Sequence, residues 1–497
     1  MRFVVAAATA LALITGYLLF FRSTENSLNL NREPLTVVQE VNDVELRTER
    51  IDSIEQEILR QSDETYPPVN SFIALLEGNS KQFESELQRV ERLWHPGNSA
   101  LLVEILRFSS NRNRIAAINR LLAKTSGNTK AKRPNEWYPS FWAMPYTPHP
   151  DYGEFKSLLY DDIDQSFADY FASDRQSTIR LDEVLWGGVR RDGIPPLKNP
   201  EVLPAAAADY LKDTDVVFGV VVNGEARAYP KRILAWHEMV KDQVGGESIN
   251  GVYCTLCGSM IVYFTEDNEG HHYELGTSGF LYRSNKLMYD HQTRSLWSTI
   301  NGEPVIGPLV GKGIKLRSHF VVTTSWGEWK KLHPETEVLS LRTGHRRDYG
   351  EGVAYKKYFS TDQLMFGVPK LDNRLANKAE VLILRDQTLN TKPVAVAVDY
   401  LKTNPLLTLE LDGTRALIVT DTSGANRAFE IGDQSFQFGD SPFRLLDDQG
   451  RQWSVREHAL TSDEGNELTR MPAHRAFWFG WHAAHPNTEL IRQTPTD

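Results

Sequence analysis

Cysteine is scarce in this sequence. Only Cys254 and Cys257 occur among 497 residues, in the stretch VYCTLCGSM. Two thiols are too few for a disulfide-rich scaffold, so the fold has to rest on hydrophobic cores. With no third cysteine as a partner, the pair is a metal clip, a redox pair or a small structural disulfide. The spacing alone leaves all three alternatives open.

An excess of positive charge is also lacking. Lys and Arg number 55 against 65 Asp and Glu, which gives a net charge of −10. This balance argues against nucleic acid as a partner. The stretch GPLVGKG at 307–313 is one residue short of a phosphate-binding loop and has Gly313 where Ser or Thr would hold magnesium, so we expect no nucleotide cofactor.

Long apolar runs are missing except at the N-terminus. Residues 3–21 are uncharged and end at Arg22. At about 1.5 Å per helical residue this run just spans a hydrocarbon core of roughly 30 Å. A cleaved signal peptide is the alternative, but the run ends in YLLFFR rather than in a small-residue cleavage site. We expect residues 1–21 to be an uncleaved signal anchor in the inner membrane, with the remaining chain extracytoplasmic, in the periplasm. The membrane is then one partner, and the sequence identifies no protein partner.

The fold class that we predict is α+β, with an N-terminal helical domain followed by two tandem, duplicated β-rich α+β modules. Apolar residues recur at helical spacing in the N-terminal part, and β-strand patterns dominate the rest. The aromatic stretch from Glu136 to Tyr152 is predicted to be a loop, followed by a helix near Phe155 to Phe171. The predicted domains are the helical domain (22–175), a first module with the cysteines (176–345), a linker (346–377) and a second, cysteine-less module (378–497).

A repeat supports the duplication. WGEWKKLHPETEVL begins at Trp326 and WFGWHAAHPNTELI at Trp478, and both contain W-x-x-W-x-x-x-H-P-x-T-E. The two copies extend over about 212–340 and 378–492. In the second copy, Thr420 and Ser423 stand where the first has its cysteines, which predicts a structural role for the second module.

The segments around the cysteines predict a strand, a turn and a second strand. DVVFGVVVNGEARAYP is a hairpin pattern with an Asn-Gly turn, and a helix is expected from Pro230 to the glycines at 245–246. No helix pattern follows Cys257, whereas a thioredoxin-like pair begins a helix that lowers the thiol pKa. Thiol–disulfide exchange is therefore the alternative function and metal binding the leading one.

Copper or zinc is the metal that two thiolates predict. His237 is the expected third ligand, since its helix leads into the strand that ends in Cys254. The alternative for His237 is a core histidine with ordinary hydrogen bonds. Further candidate ligands are Met260, His271, His272, Asp290 and His291. Catalytic residues are not identifiable, and a non-catalytic envelope scaffold with a structural disulfide is the third functional alternative.

Several stretches together resemble the bacterial family known as domain of unknown function 3179. They are RLDEVLWGGVRRDGIPPL, NGEARAYPKRILAWHEMVKDQVGG, YCTLCGS, YDHQTRSLWSTINGEPVIGPL and AHRAFWFGWHAAHP. The resemblance covers about Ile179 to the C-terminus, and the helical N-terminal third resembles the longer members. It implies that His237 in W-H-E and the turn with Cys254 and Cys257 belong to the family pattern, and it implies no established activity.

Overall fold

The N-terminal part of the described chain is helical. The computed structural model describes residues 65–172, 174–267, 269–384, 392–411 and 413–493. Its first seven α-helices are α1 (Val69–Glu77), α2 (Ser80–Arg92), α3 (Asn98–Phe108), α4 (Arg112–Ser126), α5 (Pro134–Trp142), α6 (Tyr152–Asp161) and α7 (Gln165–Phe171). The predicted anchor at residues 1–21 lies outside the described residues. Within those residues, every helix is too short or too polar to cross a bilayer.

The helical periodicity of α2 and α4 is confirmed. Phe83 and Val90 of α2 and Ile118 and Leu122 of α4 are buried in one core. The N-terminus of α2 is also capped as a helix requires. The Asn79 side chain accepts a hydrogen bond from the backbone N–H of Gln82. The hydrophobic face and the cap therefore both specify the helix that is observed.

The prediction of a loop over the whole stretch from Glu136 to Tyr152 is wrong. Its first part belongs to α5, whose first residue is proline, a residue that suits the first helical turn. Aromatic rings four residues apart stack along α5: Trp137 on Phe141 and Tyr138 on Trp142. These contacts stabilise the helix despite a second proline inside it.

Beyond the helices the chain forms β-sheets. Strands before residue 340 are β1 (Val184–Trp186), β2 (Leu197–Lys198), β3 (Val202–Pro204), β4 (Val216–Val222), β5 (Glu225–Pro230), β6 (Met239–Val244), β7 (Glu247–Cys254), β8 (Ser259–Asp267), β9 (Leu275–Tyr282), β10 (Asn285–Asp290), β11 (Leu296–Ser298), β12 (Glu303–Ile306), β13 (Leu316–His319), β14 (Val322–Ser325) and β15 (Glu337–Leu339). They form three five-stranded sheets with the orders β1-β9-β10-β11-β12, β13-β8-β7-β6-β2 and β14-β4-β5-β15-β3. The mixed α+β class is thus confirmed, and so is the β4–β5 hairpin with its Asn-Gly turn.

The helix after Pro230 is shorter than predicted. Helix α8 (Lys231–His237) ends at Glu238, whose φ of 54° is left-handed, and β6 follows at once. Residues 239–244 alternate between buried and more exposed positions and pair with β7, so sheet formation replaces the predicted helix there. Because α8 ends early, Glu238 lies between α8 and β6, and β6 pairs with the strand β7 that ends in Cys254.

The C-terminal part is a second β-rich region. After α9 (Trp326–Leu332) and α10 (Lys356–Phe359) come β16 (Glu380–Leu384), β17 (Val394–Ala397), α11 (Val398–Thr403), β18 (Leu406–Leu411), β19 (Thr414–Thr420), β20 (Asn426–Ile431), β21 (Phe436–Phe438), β22 (Arg444–Asp447), β23 (Gln452–Val455), β24 (Ala459–Ser462), β25 (Glu467–Thr469), β26 (Ala473–Phe477), α12 (Trp478–Ala484) and β27 (Glu489–Ile491). Their sheets have the orders β26-β16-β17-β27, β18-β19-β20 and β21-β22-β23-β24-β25.

Two sheets of the two β-rich regions share one arrangement. In each, a central antiparallel pair (β4–β5 or β16–β17) has an antiparallel strand on one side, β14 or β26. That strand leads into a W-x-x-W helix, and the strand after the helix pairs in parallel on the other side. Both helices, α9 and α12, have seven residues, and the His of His-Pro directly follows the last helical residue in each.

Candidate functional site

The two cysteines lie on the tight turn that joins β7 to β8. Cys254 is the last residue of β7 and pairs with Ser259 of β8. The backbone N–H of Cys257 donates to the carbonyl oxygen of Cys254 at 3.1 Å, and Gly258 turns the chain with a φ of +62°. Both side chains therefore point to the same side of the turn, and the predicted strand–turn–strand arrangement is confirmed.

The sulfur atoms of the pair are close together. Cys254 Sγ lies 2.8 Å from Cys257 Sγ, and the Cys257 thiol also lies 3.0 Å from the carbonyl oxygen of Ser284. Two thiolates on one tetrahedral metal ion would lie roughly 3.5–4 Å apart, whereas a disulfide needs about 2.0 Å. The observed separation lies between these two values, so only a small movement of the side chains would bring the sulfurs to disulfide distance.

The two thiols differ in acidity. Burial acts to raise the pKa of Cys254, but hydrogen bonds from the Cys257 thiol and from backbone N–H groups leave that pKa below its ordinary value. Burial, together with the hydrogen bond to Cys254 and its charge, raises the pKa of Cys257 well above the ordinary value. One backbone donor is the N–H of Lys286. Cys254 is therefore the more acidic thiol of the pair.

Residues of the second β-rich region cover one side of the pair. The backbone N–H of Phe477 donates to Cys257 O at 2.7 Å. A methyl group added at Gly480 would lie 3.4 Å from Cys257 Sγ, and Phe479 and Ala483 of α12 pack in one cluster with both cysteines. Cys254 and Cys257 are only 2% and 1% exposed. The thiol site is therefore built by both β-rich regions.

A buried ion pair lies near the thiols. Lys286 Nζ lies 3.1 Å from Glu238 Oε2, and both side chains are less than one tenth exposed. The two residues also line a cavity of about 80 Å³ with Leu256, which separates the two cysteines in sequence, and with Met365. The negative charge of Glu238 acts on both thiols, because it contributes to raising the pKa of each.

Lys286 and Glu238 are functional-site residues that the sequence patterns did not predict. A signal was present for each: Glu238 completes the W-H-E motif, and Lys286 is a single cation in an apolar strand, NKLMYD. A buried lysine in such a strand requires an anionic partner.

His237 is fully buried and bonded at both ring nitrogens. Nδ1 donates to the carbonyl oxygen of Pro195 at 2.9 Å, and Nε2 lies 2.6 Å from the hydroxyl of Tyr349. Burial lowers the pKa of this histidine. A neutral ring with Nε2 as the acceptor from Tyr349 has no lone pair left for a metal in this arrangement. His237 thus has the contacts of a core histidine, and its role as a metal ligand stays a prediction.

Sequence comparison supplies the family. Residues 191–488, more than half of the chain, match the family described as "Protein of unknown function (DUF3179)". This chain is a DUF3179 protein. The match includes His237, both cysteines and the second β-rich region up to β27, and it begins twelve residues after the predicted start at Ile179. No curated protein and no solved structure matches the chain.

The further candidate ligands of this DUF3179 protein have other contacts. Met260 packs against Gly251, and His271 binds Asp267 at 3.2 Å. His272 Nδ1 lies 3.0 Å from Thr265 Oγ1, and His291 Nε2 lies 3.2 Å from the Tyr289 hydroxyl. The Asp290 carboxylate accepts hydrogen bonds from Ser295 N–H and from the Trp297 indole. In the described part of the chain, no three His, Cys, Asp or Glu side chains form a group that could hold a metal ion.

Proposed function

We propose that this DUF3179 protein is a thiol–disulfide redox protein in which Cys254 is the attacking thiolate and Cys257 the resolving thiol. The observation that carries the proposal is the 2.8 Å sulfur separation within a pair of unequal acidity. A lowered pKa provides the nucleophile, and the neighbouring thiol is in place to form the disulfide.

The proposed reaction balances as an exchange with a disulfide-containing partner. Cys254 Sγ attacks one sulfur of the partner disulfide and forms a mixed disulfide, while the other partner sulfur leaves as a thiolate. Cys257 then loses its proton to that thiolate and attacks Cys254 Sγ, which releases the second partner sulfur. The protein dithiol becomes a disulfide, and the partner disulfide is reduced by two electrons.

Hydrogen bonding around the pair supports this division of roles. The carbonyl oxygen of Ser284 accepts from a protonated Cys257 thiol and cannot donate to a thiolate. Cys254 accepts instead from the backbone N–H of Cys257, whereas the backbone N–H of Lys286 acts on both thiols.

The second candidate is a structural disulfide, which the burial of both cysteines favours. The two candidates differ in reduction potential. We expect the redox pair to equilibrate with glutathione or dithiothreitol buffers in the folded protein, and alkylation followed by mass spectrometry measures this equilibrium. A disulfide that stays oxidised until the protein unfolds would reject the redox proposal and support the structural bridge.

Single variants test the roles of the two thiols. We expect C257S to accumulate a mixed disulfide with glutathione at Cys254 because the resolving thiol is gone. C254S lacks the acidic thiol and should accumulate much less of the mixed disulfide with glutathione at neutral pH. Equal adduct formation by the two variants would contradict the assigned order of attack.

Copper or zinc binding by the cysteines with His237 remains a third proposal for the same residues. It is tested by metal analysis of the protein purified under reducing conditions, with H237A for comparison. A stoichiometric metal that C254S and C257S lose would make metal binding the primary function. If the protein contains no metal after incubation with zinc and copper, the metal-binding proposal is rejected.

The anchored location is likewise proposed from residues 3–21. An extracytoplasmic site gives a thiol pair access to an oxidising compartment. We expect the protein to fractionate with the inner membrane, to keep its N-terminus and to need detergent for release. Recovery of a shortened, freely soluble protein from the periplasm would contradict the anchor.

We also propose that the two β-rich regions are duplicated modules. The matching sheet orders and the two seven-residue W-x-x-W helices support a common origin. The second module lacks the thiols and contributes Phe477 and Gly480 to the wall of the site. Superposition of β14–α9–β15 on β26–α12–β27, extended to the adjoining hairpins, tests this relation, and a poor fit would reject it.

A further inference from the structure

The thiols are covered on a second side by a segment between the two β-rich regions. We call residues 355–368 the strap. Its Tyr358 and Val368 pack in one cluster with both cysteines, and Phe366 adds to the same cluster. Apart from the four residues of α10, the strap has no regular secondary structure.

Few polar bonds attach the strap to the thiol site. The Tyr358 hydroxyl donates to the carbonyl oxygen of Leu256, between the two cysteines, at 2.7 Å. The Ser284 hydroxyl donates to Phe366 O at 3.0 Å, and the Tyr355 hydroxyl lies 3.3 Å from Glu238 Oε1. Each of these bonds depends on one side-chain hydroxyl, and each is worth little net free energy.

The opposite side of the site is attached more firmly. Phe477 and α12 are bonded through backbone groups, including Phe477 N–H to Cys257 O. The Asn285 side-chain amide donates to Gly480 O at 2.9 Å. Trp478 is buried in the core of the sheet β26-β16-β17-β27. Opening on this side would break strand and core contacts of the second module.

Packing under the strap is incomplete. The cavity of about 80 Å³ lies between strap residues, Met365 and Phe366, and residues of the first module such as Leu281. Met365 is 51% exposed. Side chains that border a void make fewer contacts, so displacing them costs less than displacing fully packed ones.

We propose that the strap is a lid whose opening controls access to Cys254 and Cys257. The inference rests on the proposed redox function, because a closed strap leaves both thiols beyond the reach of a partner disulfide. Opening requires loss of the Tyr358–Leu256 bond and withdrawal of the Tyr358 ring, together with loss of the bonds of strap residues Tyr358 and Asp362 to Lys378. Reaction with a partner is then limited by the fraction of molecules with an open strap.

Alkylation of the reduced protein tests the lid. The probe is iodoacetamide, and the readout is the rate of Cys254 carbamidomethylation by mass spectrometry. We expect Y358F to react about 2- to 10-fold faster than the wild type, since it loses one net hydrogen bond that keeps the strap closed. Y210F is the matched control, because the Tyr210 hydroxyl donates to the carbonyl oxygen of Leu339, away from the strap. It should react at the wild-type rate.

Urea dependence separates strap opening from unfolding of the whole molecule. Strap opening exposes little surface, so the alkylation rate should change only weakly with urea below the unfolding transition. Hydrogen exchange should likewise be faster for residues 355–368 than for α12. Equal rates in Y358F and wild type, or a rate that follows global unfolding, would overturn the lid.

The outcomes for the lid and for the redox function are distinguishable. Alkylation needs no redox partner, so strap-dependent alkylation of a pair that never equilibrates with glutathione supports the lid and rejects the redox function. A pair that equilibrates with glutathione at the same rate in wild type and Y358F supports the redox function and rejects the lid.

Discussion

At the scale of single residues, identical side chains acquire different chemistry from their surroundings. Cys254 and Cys257 are both buried, and burial alone would raise the pKa of each. Hydrogen-bond donors around Cys254 reverse that effect, while Cys257 faces a carbonyl oxygen. Hydrogen bonding, more than exposure, therefore distinguishes the acidity of the two thiols.

A buried carboxylate of the second β-rich region gives a prediction at the same scale. Burial acts to raise the pKa of Asp447, but hydrogen bonds from the Trp453 indole and from Arg451 lower it to about 2. The folded pKa lies below the unfolded value of about 3.9, so this carboxylate stabilises the fold above pH 4 and loses that contribution as the pH falls toward 2. We expect D447N to have a lower free energy of unfolding than wild type at pH 7 and a smaller deficit at pH 3.

Urea unfolding at the two pH values measures this difference. D448N is the control, because Asp448 is exposed and adjacent. A D447N deficit that is as large at pH 3 as at pH 7 would contradict the assigned role of the charge.

At the scale of elements, the W-x-x-W helices explain why the repeat contains a threonine. The Trp329 indole donates to Thr336 Oγ1 at 2.9 Å, and the Trp481 indole donates to Thr488 Oγ1 at the same distance. Each bond connects a seven-residue helix to the start of the following parallel strand. The helix is too short to be stable alone, so its position depends on such tertiary bonds.

Removing either threonine hydroxyl should destabilise the protein to a similar extent. We expect T336V and T488V each to cost about 1–3 kcal/mol of unfolding free energy, because a buried indole N–H is left without an acceptor. Urea denaturation measures the loss, and T422V at an exposed position provides the control. Loss in only one of the two variants would show that the repeated motifs do not perform the same structural function.

At the scale of the whole molecule, the thiol turn is a contact between the β-rich regions. Gly258, directly after Cys257, has a left-handed φ, and a methyl group there would lie 2.9 Å from ring carbons of Phe477. Gly224 in the β4–β5 turn is also left-handed but has open space at that position. A comparison of substitutions at the two glycines therefore distinguishes the cost of backbone strain from the cost of a clash between the two β-rich regions.

We expect G258A to be less stable than G224A. Both variants should incur a left-handed backbone cost of about 1–2 kcal/mol, and G258A adds a clash with the Phe477 ring. Thermal or urea unfolding measures both losses. Equal destabilisation would mean that Phe477 does not pack on the thiol turn as described.

Patterns with a local physical cause were predictable. Hydrophobic spacing identified helices α2 and α4, the Asn-Gly dipeptide identified the β4–β5 turn, and β-branched runs placed the cysteines between two strands. The end of α8 was missed because Met239–Val244 also fits a helical pattern. Its pairing with β7, a long-range contact, decides in favour of a strand.

By itself, the sequence determined the mixed α+β class, the family and the turn on which the two thiols lie, because these depend on residue type and short-range spacing. Tertiary structure decided the surroundings of the thiols. Phe477 and Gly480 come from more than 200 residues away, and the Glu238–Lys286 pair joins positions 48 residues apart. Acidity and access depend on burial and on donors brought together by folding, and no local pattern encodes those distances.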